Sequence, residues 1–350
     1  MPHGLVGYHK IDIIFAHQAC AMDLTLYDYS LPRELVAQQP ALARDMSRLL
    51  VLDKEFVDDT FVNLPTYFSA GDVLVLNDSR VVMAQLVARK KTSGRVEILI
   101  IRSDGVSASC LLKGKKIHLG TVLEIGDFSA VVRGKDDGRF NLEFDKPVSE
   151  IIERHGQVPL PQYIKEKVAD PSRYQTVYCR ESGSVAAPTA GLHFTEELLA
   201  AIHDRGVEIA YVTLHIGPST FLPLREGCEH PRLEPEIYSI DEVNAEKINQ
   251  GIKSDSLITV GTTTVKALES ANTGGVVKPG IGQSSLFIAP GHRFKTPIKS
   301  MVTNFHLPKS SLLLLVCALF GRERILNAYE HAVNHSYRFY SFGDAMLILR

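Results

Sequence analysis

Apolar residues along this chain change rhythm twice, and the changes mark its organisation. Leu31–Gln39 has the spacing of a short helix. Ser47–Asp53 (SRLLVLD) and Gly71–Asn77 (GDVLVLN) read as strands, the second ending in the polar cluster NDSR at Asn77–Arg80. From Val81 to Phe144 short β-rich runs (VVMAQLVAR, RVEILII, ASCLL, TVLEI, SAVVRG, FNLEF) alternate with Gly, Asp and Lys turns, which predicts a small antiparallel barrel or sandwich. Beyond about Val148 helices and strands interleave. Thr195 caps a helix that stops at Gly206, Val207–His215 is a strand, Asp241–Lys253 a helix, Leu257–Gly261 a strand and Thr262–Ser270 a helix. Met301–Phe305 follows as a strand, then helices at Lys309–Phe320 and Glu323–Asn334, then a closing strand near Ala345–Leu349. Interleaving of this kind predicts a mixed α/β main domain, residues 22–80 and 148–350, with the β-rich segment 81–147 inserted as a second domain.

Composition narrows the class without naming a function. The 350 residues are enough for two domains with ample core, and a net charge of −2 excludes a uniformly basic nucleic-acid coat while permitting a local basic patch. Five scattered cysteines with no C-x-x-C pair argue against a disulfide framework or a zinc site and point to a reducing compartment, so a cytoplasmic location is expected. No apolar run approaches the roughly 20 residues that span a bilayer. The longest, Leu312–Phe320, lies between Pro308 and Gly321 and reads as a buried helix. The first 21 residues read as a disordered or misassigned leader, because Asp12 breaks the apolar run Ile11–Ala16 that a secretory signal would need; Met22 is the expected beginning.

Several polar clusters follow apolar strands: Asn77–Arg80, Thr213–Thr220 (TLHIGPST), Gly261–Lys266 (GTTTVK), Asn304–His306 (NFH) and Phe342–Asp344 (FGD). Ligands of α/β proteins bind where strand carboxyl ends and helix N-termini converge, so five such clusters in one chain signal an enzyme. Gly183–Phe194 (GSVAAPTAGLHF) has two glycines, one proline and no charge around His193, which suits a tight loop presenting His193 and Thr189 to a ligand or a buried turn holding a core histidine. Thr262 and Thr263 open a helix after Gly261 and suit an anionic ligand or a plain helix cap; the segment is neither a dinucleotide nor a P-loop fingerprint. His193, His215 and His306 lack the local H-x-x-x-H spacing of a metal site, so they are expected to act as proton carriers and no metal is expected. Arg89, Lys90, Lys91 and Arg95, then Lys113, Lys115 and Lys116, form two basic groups in the insert that are either surface turns or a phosphate-tracking patch.

These segments together resemble a known family. GSVAAPTAGLHF, VTLHIGPSTF, VGTTTVKALES, VTNFHLPKSSL and YRFYSFGDAM, with AQQPALARDMSRLL and LNDSRVV before them, are similar to successive signatures of the S-adenosylmethionine:tRNA ribosyltransferase-isomerases of queuosine biosynthesis, in the family's order from about Asp23 to the C-terminus. The resemblance implies an α/β barrel-like main domain carrying an inserted β-barrel. It implies transfer and isomerisation of the ribosyl group of S-adenosylmethionine onto 7-aminomethyl-7-deazaguanine at the wobble position of a tRNA anticodon loop, giving epoxyqueuosine-tRNA, adenine and methionine. S-adenosylmethionine is then a substrate, tRNA is the partner, and a monomer is expected.

Under this resemblance a base removes a proton beside the sulfonium, an acid assists loss of adenine, and a second acceptor frees the attacking amine. His193, His215 and His306 are the candidates, with Asp344 orienting one of them. Arg80, Thr189, Thr262 and Thr263 are expected to bind S-adenosylmethionine; Lys90, Lys91, Arg95, Lys113, Lys115, Lys116 and Arg338 are expected to meet the tRNA. The chain departs from the family pattern at Met83 and Gln85, where proline and arginine are usual, at Ser219 (glycine), at Lys266 (arginine), and at Glu234, near a missing second histidine. Arginine and lysine are not interchangeable at a bidentate site. A divergent paralogue with another acceptor, a tRNA-binding protein without catalysis and a metal hydrolase are the competing readings.

Overall fold

The computed structural model describes residues 22–136, 138–166, 168–217 and 234–350; the expected leader and Ser219 lie outside them. In chain order the first strands are β1 (Arg48–Leu52), β2 (Phe56–Thr60), β3 (Val73–Asn77) and β4 (Ser79–Val81). Six more follow: β5 (Gln85–Lys90), β6 (Arg95–Asp104), β7 (Ser107–Lys113), β8 (Val122–Ile125), β9 (Phe128–Asp136) and β10 (Arg139–Phe144). Then come α1 (Val148–His155), β11 (Glu181–Ser184), α2 (Glu196–Asp204), β12 (Glu208–Leu214), β13 (Glu236–Ile240), α3 (Glu242–Lys253), β14 (Leu257–Val260) and α4 (Thr262–Ala271). A small hairpin β15 (Asn272–Thr273) and β16 (Val276–Val277), then β17 (Gly280–Ser284), β18 (Ser300–Asn304), α5 (Ser311–Phe320), α6 (Arg322–Asn334) and β19 (Ala345–Leu349) complete the chain.

Strands β5 to β10 close into a six-stranded antiparallel barrel in the order β10-β7-β6-β5-β8-β9. Its interior is set by simple alternation: Leu86 and Ala88, Val96, Ile98 and Ile100, and Leu123 and Ile125 are buried while their neighbours face outward. Val148 and Ile151 of α1 join this core from outside the strands.

The remaining long strands form one nine-stranded mixed sheet, ordered β17-β13-β12-β3-β14-β18-β19-β1-β2. Both faces are covered, so successive residues of one strand serve different cores. Leu50 and Leu52 pack with α5 and α6, whereas Leu49 and Val51 pack with α2 and the turn at Phe61–Tyr67. Strands β12, β3, β14 and β18 are parallel, and β19 runs back antiparallel to β18, with Asn304 opposite Ala345. One edge of the sheet therefore collects the ends of β3, β12, β14 and β18 together with Asp344 and Arg48. That edge carries the polar clusters.

Helix signals in the sequence translate directly. Thr195, Asp241 and Ser310 accept hydrogen bonds from Leu198, Asn244 and Leu313 N–H as N-caps. Leu31–Gln39 does not become a helix: only Arg33–Leu35 turns, and Val36 bridges to Phe339, with Phe339 N–H donating to the Leu35 carbonyl. Pairing across about 300 residues of chain here outweighs a weak local preference between two prolines. The edge strand β2, FVDDT, has no strand signal because two aspartates are poor strand formers; its register with β1 creates it.

Candidate functional site

At the edge of the sheet each residue of NDSR is tied by its side chain to another part of the chain. Asn77 is fully satisfied: its amide donates to the Leu214 carbonyl and Thr263 Oγ1, and its Oδ1 accepts from Ser79 and Leu214 N–H. Asp78 accepts from Thr213 Oγ1 at 2.7 Å, and burial raises its pKa. Ser79 Oγ lies 2.8 Å from His215 Nδ1, and the Arg80 guanidinium donates to the Cys179 carbonyl. The motif is a clasp that fixes the ends of β3 and β12 and the start of α4.

The loop at 183–194 owes its small residues to close approaches. A Cβ on Gly183 would stand 2.8 Å from the His215 ring, and one on Gly191 would stand 2.0 Å from the Tyr178 hydroxyl. Between these points the chain presents Ala186–Ala190 to a cleft that opens at the sheet edge. Opposite walls come from Thr262, Thr263 and Lys266 of α4, from Asn304–Leu307 after β18, and from Glu236 at the start of β13. The unoccupied space between them, open solvent at the mouth included, is about 1130 Å³.

Among the described residues, charge enters the cleft through one pair. The Lys266 ammonium donates to Glu236 Oε2, and Glu236 Oε1 accepts from Gly217 N–H at 3.0 Å; both side chains are largely buried. The sequence places Lys266 in a ligand-facing cluster but not its partner Glu236, because the pair forms between segments 30 residues apart. Two buried polar atoms of residues lining the cleft make no hydrogen bond of ordinary geometry among the described residues: Asn304 Oδ1, which adjoins His193, and the Tyr174 hydroxyl, which adjoins Ser341 and the Ala187 backbone.

Of the residues expected to act, Thr189, Thr262, Thr263 and His306 line the cleft; Arg80, His193, His215 and Asp344 do not. His306 is buried, with Nε2 3.3 Å from Thr303 Oγ1, Nδ1 3.5 Å from the Tyr329 hydroxyl, and burial pushing its pKa down to about 3. His193 sits beneath, in a smaller pocket with Arg44, Arg173 and Phe342. Its Nδ1 is 2.8 Å from Ser47 Oγ, while Nε2 and the neighbouring Asn304 Oδ1 make no hydrogen bond of ordinary geometry. Burial lowers the His193 pKa to about 4, against an opposing pull from Asp344. His215 is half-buried beside Ser79 and Glu181, with its pKa lowered by burial.

Asp344 is buried and committed elsewhere: Oδ1 accepts from Arg48 N–H and the Arg338 guanidinium, and Oδ2 accepts from Arg338 N–H. Arg338 is thereby held at the same edge of the sheet. The barrel lysines and arginines gather at one end of the barrel, where β5, β6 and β7 meet in register (Arg89 opposite Arg95, Glu97 opposite Lys113). Lys91, Arg95, Lys113, Lys115 and Lys116 are exposed there; Lys90 is half-buried and donates to the Lys115 carbonyl. Glu97 partly neutralises Arg95 and Lys113, at 3.4 and 3.5 Å. Among the departures noted above, Met83 is exposed, Gln85 uses its backbone to pair with Gln157, and Glu234 is ion-paired with Arg139.

A mixed α/β sheet with a polar, partly charged cleft at its strand ends, on a chain that also builds a closed barrel, is the architecture of an enzyme acting on a small molecule. A family profile described as "Queuosine biosynthesis protein" matches residues 24–348. Proteins named S-adenosylmethionine:tRNA ribosyltransferase-isomerase match at 46% identity over 346 residues (Desulforamulus reducens; 94% of this chain, 100% of the relative) and 47% over 343 residues (Carboxydothermus hydrogenoformans; 94% and 100%). The crystal structure of an S-adenosylmethionine tRNA ribosyltransferase from Thermotoga maritima is similar over 93% of this chain and 100% of that one, with 36% identity and a TM-score of 0.53. The chain belongs to the S-adenosylmethionine:tRNA ribosyltransferase-isomerase family of queuosine biosynthesis enzymes.

Proposed function

We propose that this enzyme transfers and isomerises the ribosyl group of S-adenosylmethionine onto 7-aminomethyl-7-deazaguanine at the wobble position of tRNA. The observation that carries the reading is the cleft itself. It joins hydroxyls and helix N–H groups at Thr262 and Thr263, the Lys266–Glu236 pair and the unpaired Asn304 carbonyl oxygen in one place. The amino-acid end of S-adenosylmethionine is a zwitterion, and Lys266 and Glu236 offer the complementary charges for its carboxylate and ammonium. Thr189, Thr262 and Thr263 supply hydrogen bonds to the ribose and base.

His306 meets the ligand as a neutral imidazole. With a pKa near 3 it is a weak base in its present surroundings, far from the near-neutral value that makes proton transfer efficient. It therefore orients a ligand polar group by hydrogen bonding. His193, one layer below, supports Asn304, and His215 braces the glycine of the 183–194 loop. Arg80 contributes through the Cys179 carbonyl rather than by touching the ligand. The exposed end of the barrel and Arg338 receive the anticodon arm, whose target base must leave its stack to reach the cleft. We assign the enzyme to the cytoplasm, where its tRNA substrate resides; none of its helices is long and apolar enough to cross a membrane among the described residues.

The test is incubation of the purified enzyme with ribose-labelled S-adenosylmethionine and tRNA bearing the deazaguanine precursor. Release of adenine and label transfer to tRNA are expected. Adenine release with a different modified base as acceptor would establish a divergent paralogue, and saturating substrates giving neither product would overturn the reading.

A further inference from the structure

A second cluster of metal-binding side chains lies outside the cleft. His331 and His335 stand one turn apart at the end of α6, in the H-x-x-x-H spacing that His193, His215 and His306 lack, and Asp58 projects from edge strand β2 towards them. One ligand atom from each of the three lies within 4.8 Å of the others. Donors around a tetrahedral zinc ion stand about 3.3 Å apart, so modest side-chain rotations close the site. None of the three residues lines the cleft.

The surroundings prepare each group for a cation. His335 Nδ1–H donates to the His331 carbonyl at 2.8 Å, which fixes the tautomer and leaves the Nε2 lone pair outward. His331 Nε2 is 3.2 Å from Asp58 Oδ2, so a metal entering there displaces only a shared proton. Asp58 Oδ1 is separately occupied by the Tyr337 hydroxyl and by the Arg48 guanidinium at 3.3 Å, which orients the carboxylate and leaves Oδ2 for coordination. Asp58 and His335 are exposed, so water can complete the shell.

We propose that Asp58, His331 and His335 form a binding site for one divalent transition-metal ion of the zinc class, distinct from the ligand cleft. Two imidazoles and one carboxylate suit zinc, cobalt, nickel or copper and are poor donors for magnesium or calcium. Occupancy clamps the end of α6 to the edge strand β2, beside the Tyr337–Arg338 segment that holds Asp344.

Calorimetric titration of the metal-stripped full chain with Zn²⁺, paired with Co²⁺ absorption, tests this. One equivalent is expected to bind with a d–d spectrum of low-coordinate Co²⁺ and to raise the Tm. His331→Ala and His335→Ala are each expected to weaken that event at least about ten-fold, since losing a ligand costs no less than losing its supporting partner. A Tm equal to wild type in chelator establishes that the variants fold, and His335→Gln provides a second, milder substitution. The proposal is overturned if no Zn²⁺ binds at millimolar concentration, if binding persists unchanged in both alanine variants, or if Mg²⁺ binds as tightly as Zn²⁺.

Discussion

His306 separates two chemistries that the same residue type serves. As a hydrogen-bonding group it is replaceable in part by another donor and acceptor, so His306→Gln is expected to lose about ten-fold in kcat/KM, the worth of one hydrogen bond. Loss of an obligatory proton acceptor would cost about 10²–10⁴-fold in both the Gln and Ala variants, and single-turnover adenine release distinguishes the cases. The buried histidines also set a pH dependence of stability. His193 and His306 have folded-state pKa values near 4 and 3, below the unfolded value of 6.5, so the unfolded chain binds more protons once the pH falls below about 6.5. Stability is unaffected by them above that pH. It falls by about 1.4 kcal/mol per unit for each histidine on acidification towards its folded pKa. Denaturant titrations at pH 7.5 and 5 should show this loss, reduced by one proton's worth in His193→Gln. The sequence marked these histidines by their neighbours, but not their depth. Burial depends on Phe61 and Ser47 reaching His193 from 132 and 146 residues away.

At the scale of elements, the loop 183–194 was recognisable because glycine and proline in a charge-free run leave few alternatives to a close-packed turn. What packs there was not. Gly191→Ala would force the new methyl onto the Tyr178 hydroxyl and is expected to cost about 1–3 kcal/mol, read as a lower Tm. Tyr178→Phe removes that oxygen, which has no hydrogen-bond partner among the described residues, and should restore part of the loss in the double variant. Helices with a capping residue and a glycine stop were legible to within a residue or two, since those signals are local. The strands β2 and β17 have no local signature, because the aspartates of FVDDT and the glycines of GIGQS disfavour a strand and both exist through their partners.

For the whole molecule, the closed barrel and the main sheet each have their own core. The exposed basic end of the barrel gives a further prediction: Lys91, Lys113 and Lys116 replaced together by Ala should raise KM for tRNA and flatten the salt dependence of tRNA binding by about 0.7–0.9 per lost phosphate contact. S-adenosylmethionine binding to the free enzyme, measured calorimetrically, should not change. The amino-acid order alone determined the class of fold, the inserted β-rich segment and the five polar clusters, because period, caps and turn residues act over a few neighbours. Tertiary structure alone decided which clusters share a cleft. Parallel register brings Thr262 and Asn304 to one edge of the sheet, and β13 delivers Glu236 to Lys266. The same packing sends His193 below the cleft floor and His215 outside it. Spacing along a chain carries no information about such meetings; they follow from strand order, which is settled only when both faces of the sheet are covered.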